Sequence, residues 1–245
     1  MISKDDRILV LGSCFAANMG ERLSAEGYDV CINPFGTLFN PVSIHNSLLR
    51  LRSGKPFTED ECVLMGSGAG KWCSFNHYTL FAKEKKEDFL RGANDALEAA
   101  SAFYRDCDKL IITFGTAFCF RHLGKNMVVS NCLKLPAREF ERFRLGVDEI
   151  VSLYADLPAD KDIIFTVSPV RHLADGAHGN QLSKSTLLLA EEKIVAADPA
   201  RRSYFPSYEI MLDELRDYSW YADDKVHPNA GAIEHITGKF LEQNT

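Results

Sequence analysis

Two nearly continuous apolar runs constrain the fold of this chain more than any other feature. The runs LIITFG and DIIFTVSP overlap the segments Lys109–Phe114 and Asp162–Val167, and neither run alternates between apolar and polar residues. A strand that is apolar on both faces is typical of the centre of a parallel sheet covered by helices on both sides. The two runs therefore predict an α/β protein.

The rest of the sequence repeats this alternation of short strands and longer helices. Five strand-like runs recur, at Ile8–Leu11, Asp29–Ile32, Lys109–Phe114, Asp162–Val167 and Arg202–Phe205. Helical patterns lie near Phe15–Ala25, Val42–Arg52, Glu84–Tyr104, Arg138–Tyr154, Leu182–Ala197 and Asn229–Glu242. This order predicts βαβ units and a doubly wound sheet in one domain, residues 1–245. Residues 55–81 and 118–131 do not fit the alternation, and we expect loop or hairpin insertions there.

Composition and charge exclude several classes of protein. The 245 residues are 46% hydrophobic and 25% charged, as in an ordinary globular protein with a substantial core. The net charge of −6 gives no basis for a nucleic-acid or anionic-membrane partner. No apolar run approaches the ~18 residues that span a bilayer. The charged residues at positions 4–7 lead directly into the first strand and leave no room for a signal peptide, so we expect a cytoplasmic protein.

The seven cysteines are scattered and form no C-x-x-C motif. An odd, unclustered set argues against a disulfide framework and against structural zinc. We expect most of them to be small buried apolar residues, and we expect the protein to need no metal or organic cofactor.

Polar residues follow several of the predicted strands. In open parallel sheets, ligands bind outside the carboxyl ends of the strands, at the point where the strand order reverses. The first strand ends in Gly12-Ser13, the third in Gly115-Thr116 and the fourth in the segment SPVRH, which contains Arg171 and His172. These strand ends are the candidate positions for a functional site.

Three residues, one at a strand end and two in a C-terminal loop, match the requirements of nucleophilic catalysis. Ser13 lies at a strand-to-helix corner, and the loop YADDKVHPNAG places Asp224 three residues before His227. A serine hydroxyl needs a histidine to take its proton, and the histidine needs a carboxylate to hold its tautomer. The free N–H groups of a helix N-terminus can receive the developing oxyanion.

Each residue also has a structural interpretation. Ser13 suits a helix N-cap, Asp224 a solvated loop acid and His227 a surface turn residue. Cys14 is an alternative nucleophile if the helix N-terminus lowers the pKa of its thiol. We favour Ser13, because it directly follows the strand and its glycine.

The segment GSCFA, Gly12–Ala16, resembles the signature of the GSCFA family, a branch related to the SGNH (GDSL-like) hydrolases. The blocks NPFGTLFNPVSI, FGTAF, NCLKLP, TVSPVRHLADGAHGNQLSKSTLL, YFPSYEIMLDELRDY and YADDKVHPNAGA are similar to blocks of that family in the same order. The resemblance implies an SGNH-type, flavodoxin-like three-layer α/β/α sandwich with a mostly parallel five-stranded sheet. It also implies ester hydrolysis with Ser13 as nucleophile, Asp224 and His227 as acid and base, and the Gly36 amide as an oxyanion donor.

The sequence departs from the SGNH pattern at one point. Those enzymes commonly supply a third oxyanion donor from an asparagine in a G-x-N-D block, where this chain reads Gly115-Thr116-Ala117-Phe118. We rank Asn131 first as the replacement, then Asn76, then Thr116. The candidate substrate-binding residues are Asn76 and His77 in SFNHY, and Arg171 and His172 in SPVRH.

The resulting hypothesis is a serine ester hydrolase that acts through an acyl-Ser13 intermediate. Its substrate is a small-molecule or saccharide carboxylic ester, with an O-acetylated carbohydrate as one candidate. Two alternatives stay open at this point. One is acyl transfer to a sugar hydroxyl with the same residues, and the other is a non-catalytic carbohydrate-binding relic of the fold.

Overall fold

The computed structural model describes residues 1–245 and contains ten strands. In chain order they are β1 (Arg7–Gly12), β2 (Asp29–Ile32), β3 (Val63–Leu64), β4 (Trp72–Cys73), β5 (Lys109–Phe114), β6 (Phe118–His122), β7 (Met127–Val129), β8 (Phe140–Arg144), β9 (Asp162–Val167) and β10 (Arg202–Tyr204).

Five of these strands form the central sheet, in the order β10-β9-β5-β1-β2. All four pairings are parallel, and the register aligns Leu9 with both Cys31 and Leu110. Every residue of β5 is buried, which confirms its prediction as a central strand. Numbered by appearance within this sheet, the order is 2-1-3-4-5, which is a doubly wound arrangement whose order reverses between β1 and β5.

Seven helices connect the strands. They are α1 (Cys14–Ala25), α2 (Pro41–Ser53), α3 (Lys86–Asp106), α4 (Val147–Leu153), α5 (Gly176–Ala196), α6 (Ser207–Glu209) and α7 (Ala230–Asn244). The short α6 continues into a π-helical turn at Ile210–Glu214.

The helices form one layer on each face of the sheet. Because successive side chains of a strand point to opposite faces, Leu9 and Leu11 pack with α2–α5, while Ile8 and Val10 pack with α1, α7 and the π-helical turn. The molecule is therefore a three-layer α/β/α sandwich, as the sequence predicts. No helix is both long enough and apolar enough to cross a bilayer.

The segments outside the alternation form two small antiparallel sheets. Strands β3 and β4 pair with each other, and the second sheet has the order β7-β6-β8. The predicted helix near Arg138–Tyr154 is wrong in its first half. Residues Phe140–Arg144 pair with β6 as strand β8, and the helix begins only at Val147.

Candidate active site

The corner between β1 and α1 requires a glycine. Gly12 has φ of +140°, and a Cβ atom there would lie 2.2 Å from the carbonyl oxygen of Thr113 on the neighbouring strand β5. No other residue type fits this close approach without moving the backbone. The Gly12 amide donates a hydrogen bond to Asn33 Oδ1 at 2.8 Å, which fixes the end of the strand. The next residue, Ser13, is therefore held in a defined position.

Ser13 occupies the N-cap position of α1, but its side chain does not cap the helix. The residue is extended, with φ of −69° and ψ of 179°, and only 1% exposed. Its Oγ atom is buried and has no hydrogen-bond partner. A buried hydroxyl without a partner costs about 1–3 kcal/mol, so the structure gives this group no stabilising role. The protein therefore leaves the hydrogen-bonding capacity of this hydroxyl unused.

Asp224 and His227 form a closely bonded pair in the loop before α7. Asp224 Oδ2 lies 2.6 Å from His227 Nδ1, and Oδ1 accepts the backbone N–H groups of Val226 at 2.9 Å and His227 at 3.0 Å. These bonds, with the His227 backbone N–H first among them, lower the pKa of Asp224 to about 2. When Nδ1–H donates to the carboxylate, the neutral ring carries its lone pair on Nε2, as a general base requires.

One cavity brings Ser13 and His227 together. It has a volume of about 240 Å³ and lies beyond the ends of β1, β5 and β9. Its walls are formed by Ser13, Cys14, Phe39, Gly115, Ser168, Val170, Arg171, His172, Val226 and His227. Ser13 Oγ and His227 share the cavity without a hydrogen bond, a separation that active sites without substrate often show. The cavity opens at the point where the strand order reverses, as the rule for parallel sheets predicts.

The environment of Cys14 disfavours its role as a thiolate. Cys14 lines the cavity as the first residue of α1. Burial raises the pKa of its thiol, and the smaller opposing effects of backbone N–H groups and of Lys184 do not reverse this. The alternative of a reactive thiolate therefore loses its physical basis.

Arg171 and His172 both line the Ser13 cavity, as substrate-binding residues must. Burial, and secondarily the positive charge of Lys184, lowers the pKa of His172 to about 4. His172 is therefore a neutral imidazole beside the cavity near neutral pH. Its backbone N–H donates to Asn180 Oδ1 at 2.9 Å, which fixes the segment against α5.

The other predicted site residues lie away from the cavity. Gly36 has φ of +83° and packs against Tyr78, and its amide donates to the Asn33 carbonyl at 2.7 Å instead of facing Ser13. Asn131 donates its amide to the His77 carbonyl, and its Oδ1 accepts the Leu133 N–H at 2.8 Å. The Gly36 amide is thus bonded within its own turn, and the Asn131 side chain is bonded to its own loop and to the insertion that contains His77. Neither residue lines the cavity.

The insertion SFNHY supplies no wall of this cavity. His77 is fully buried among phenylalanine rings, with Nδ1 2.7 Å from Ser74 Oγ, and burial lowers its pKa to about 3. The interpretation of His77 as a substrate-binding residue is therefore corrected to a core role. Asn76 lies beside Glu61 in a separate surface pocket. The Thr116 hydroxyl is bonded to Ser183 Oγ at 3.1 Å and also lies outside the cavity lining.

Lys184 is the residue of the site that sequence reasoning missed. It is completely buried in α5, and its Nζ donates to the carbonyls of Gly115 and Ser168, each at 2.7 Å. Those two carbonyls belong to residues that line the cavity, so Lys184 joins the ends of β5 and β9. Burial lowers the pKa of Lys184 to about 7. Its position along α5 could have indicated its burial. Lys184 lies three and seven residues before Leu187 and Glu191, and this spacing puts it on the same buried face of the helix.

The fold and the site together define a doubly wound α/β protein with a serine, a histidine and a carboxylate at the switch point of its sheet. The chain belongs to the GSCFA family, whose sequence model matches residues 7–240. No curated protein and no solved structure matches the chain.

Proposed function

We propose that this protein is a serine ester hydrolase that acts through an acyl-Ser13 intermediate. The observation that carries the proposal is the shared cavity: Ser13, whose hydroxyl has no hydrogen-bond partner, and His227, which is bonded to Asp224, both line it. A nucleophile and a base that line one cavity, with an acid bonded to the base, are the parts that acyl transfer requires.

In the proposed reaction, His227 Nε2 removes the Ser13 proton as Oγ attacks the ester carbonyl. The imidazolium, stabilised by Asp224, then protonates the leaving alcohol and leaves an acyl-Ser13 ester. Water attacks this ester with His227 again as base, and the acid and free Ser13 are released. The unbonded N–H groups of the first turn of α1 lie next to Ser13 and are the candidate donors to the oxyanion.

The same features support a relationship to the SGNH hydrolases. The 2-1-3-4-5 strand order, the nucleophile after the first strand and the D-x-x-H loop before the last helix are similar to that superfamily. The missing asparagine remains a difference, because no side-chain amide lines the Ser13 cavity. The competing hypothesis of a non-catalytic carbohydrate-binding relic rests on this difference.

A fluorophosphonate probe separates the enzyme from the relic. We expect the wild-type protein to be labelled and Ser13→Ala to lose both labelling and esterase turnover. Cys14→Ala is the matched control, since it removes the neighbouring nucleophile, and it should keep most of both activities. Labelling that disappears only in the cysteine variant would assign the nucleophile to Cys14, and no labelling of the wild type would support the relic.

The substrate proposal is a carboxylic ester, with an O-acetylated carbohydrate as the first candidate. Acyl transfer to a sugar hydroxyl would use the same residues with water excluded. Release of free acid without an acceptor supports the hydrolase, whereas products that appear only with an added sugar support the transferase.

We further propose that the protein works in a reducing compartment, the cytoplasm. All seven cysteines are free thiols, and three of them are buried in the structure. Free thiols in this number are expected where disulfides do not persist.

A further inference from the structure

A second cavity adjoins the Ser13 cavity, and Arg171 lines both. It has a volume of about 230 Å³ and lies between the first turns of α5 and the segment that contains Tyr218 and Tyr221. An ester that reaches from Ser13 to Arg171 would therefore meet a residue that also lines the second space.

The charge of the second cavity is positive. Its lining contains two arginines, Arg171 and Arg216, and no carboxylate, although the chain as a whole carries a net charge of −6. Arg216 is already paired with Asp213 at 3.2 Å, and both side chains are mostly exposed. The α5 N-terminus adds partial positive charge at the same place.

Arg171 is the guanidinium of this cavity that has no anionic partner. Its side chain lies over the rings of Tyr218 and Tyr221, at 5.6 and 5.4 Å from their centroids. Its Nη1 donates only to the Lys225 carbonyl, at 3.3 Å. The Arg171 guanidinium is half-buried and is held by two aromatic rings. Its remaining N–H groups can therefore donate to both oxygens of a carboxylate.

The position of Arg171 identifies which part of an ester it would meet. The leaving oxygen must lie near His227, because His227 gives it a proton. Arg171 is fastened to the same loop, since its backbone N–H donates to the Val226 carbonyl at 3.0 Å. Arg171 therefore lies beside the loop that carries His227, which is the loop that the leaving oxygen must approach.

We propose that Arg171 and the second cavity bind the alcohol portion of the ester, and that this alcohol is a ring that carries a carboxylate, as in an acidic sugar. The proposal rests on the proposed esterase function. Tyr218 is 60% exposed and offers ring surface for such a ring, and the Arg171 guanidinium donates to its carboxylate. Gln181 accepts the Tyr208 hydroxyl through Oε1, which leaves its NH2 group for a ring hydroxyl.

Two acetate esters test the proposal: 4-acetoxybenzoate, whose leaving alcohol carries a carboxylate, and its neutral methyl ester. Acetate release is measured for both, and the methyl ester has the intrinsically better leaving group, so a preference for the carboxylate cannot come from intrinsic reactivity. We expect the wild type to show a kcat/KM for the carboxylate at least about tenfold above that for the methyl ester, as a charge-assisted bidentate contact gives. Arg171→Met should abolish this ratio and Arg171→Lys should restore part of it. Arg91→Met, which removes an exposed cation paired with Asp88 and lining neither cavity, should keep the ratio within about twofold. Equal rates for the two esters in the wild type, or a ratio that survives Arg171→Met, would overturn the proposal.

A binding measurement separates this proposal from the esterase function. Calorimetry with 4-hydroxybenzoate and methyl 4-hydroxybenzoate, the two leaving alcohols, requires no catalysis and can use Ser13→Ala. Tighter binding of the carboxylate that Arg171→Met removes would support the subsite even if Ser13 hydrolyses no ester. Equal binding of the two alcohols would refute the subsite even if Ser13 is an active nucleophile.

Discussion

The hydrogen bonds of Asp224 show how a short spacing in the sequence can fix the geometry of two side chains of a candidate site. Its carboxylate accepts three hydrogen bonds from within four residues of chain, two of them from backbone N–H groups. These bonds stabilise the ionised form, and the pKa of about 2 keeps Asp224 charged throughout the pH range of most enzymes. Because the folded pKa lies below the ordinary 3.8, the favourable contribution is complete above pH 3.8 and is lost as the pH falls through about 2.

At the residue scale, the first prediction concerns Asp224→Asn. The amide keeps the shape of the side chain but no longer holds the His227 ring with its lone pair on Nε2. We expect kcat for ester hydrolysis to fall by about 10³–10⁴-fold, with a smaller change in KM. Asp223→Asn is the matched control, since Asp223 is an exposed neighbouring acid, and it should stay near wild-type activity. Equal losses in the two variants would mean that general loop charge, and not the Asp224–His227 bond, matters.

At the scale of elements, the β1–α1 corner joins the sheet to Ser13, the proposed nucleophile. The strand must end against β5 while the helix starts immediately, so the turn occurs in one residue with positive φ. Gly12 satisfies both conditions, and the backbone contact with Thr113 leaves no space for a side chain.

The corresponding prediction compares two glycines with positive φ. Gly12→Ala should destabilise the protein by roughly 3 kcal/mol or more, because backbone strain is added to a clash with a strand carbonyl. Gly27→Ala tests the backbone strain alone, since φ is +89° there and no atom lies within 4 Å of the added methyl group. This substitution should destabilise the protein by roughly 1–2 kcal/mol. Urea unfolding of both variants measures the difference. If the two substitutions lower the free energy of unfolding by similar amounts, the corner at Gly12 tolerates a Cβ atom.

Two other elements depend on partners far away in the chain. Residues Phe140–Arg144 become strand β8 because β6 offers them a complete antiparallel partner, from Phe118 to His122. The isolated segment resembles the start of a helix, and the pairing that overrides this preference is not visible in its own sequence.

The third-donor candidates Asn131 and Asn76 fail to reach Ser13 for a related reason, since both are bonded within the insertions.

At the scale of the whole molecule, the buried Lys184 links stability to pH. Its ammonium lies at the junction of α5 with β5 and β9, far from bulk solvent. Burial lowers its pKa from 10.5 to about 7, while the buried Glu191 opposes this shift. Between these two values the unfolded chain binds more protons than the folded one, so the contribution of Lys184 to stability rises with pH.

We therefore expect the free energy of unfolding of the wild type, relative to Lys184→Met, to increase between pH 7 and pH 8.5. The rise should be about 1 kcal/mol per pH unit, since one proton corresponds to 1.36 kcal/mol per unit. Urea unfolding across this window measures it. Lys193→Met, which removes an exposed lysine of the same helix, should show no such dependence. If the difference in unfolding free energy between wild type and Lys184→Met does not change with pH, the folded-state pKa of Lys184 lies outside this window.

The sequence by itself determined the features that are local in the chain. The apolar runs define the central strands, the periodic segments define most helices, and the D-x-x-H spacing defines the Asp224–His227 bond. These features depend on residues at most a few positions apart, whose geometry the backbone fixes. The strand ends followed from the same reasoning, because parallel strands carry their carboxyl ends at one edge.

Only the tertiary structure decided which distant residues meet. It brought Arg171 and His172 to the cavity of Ser13 and His227, and it buried His77 in the core. It also buried Lys184 of α5, whose ammonium links two strand ends. The physical reason is that burial and long-range hydrogen bonding depend on the elements packed against a residue, and a residue's own neighbours in sequence carry little information about those elements.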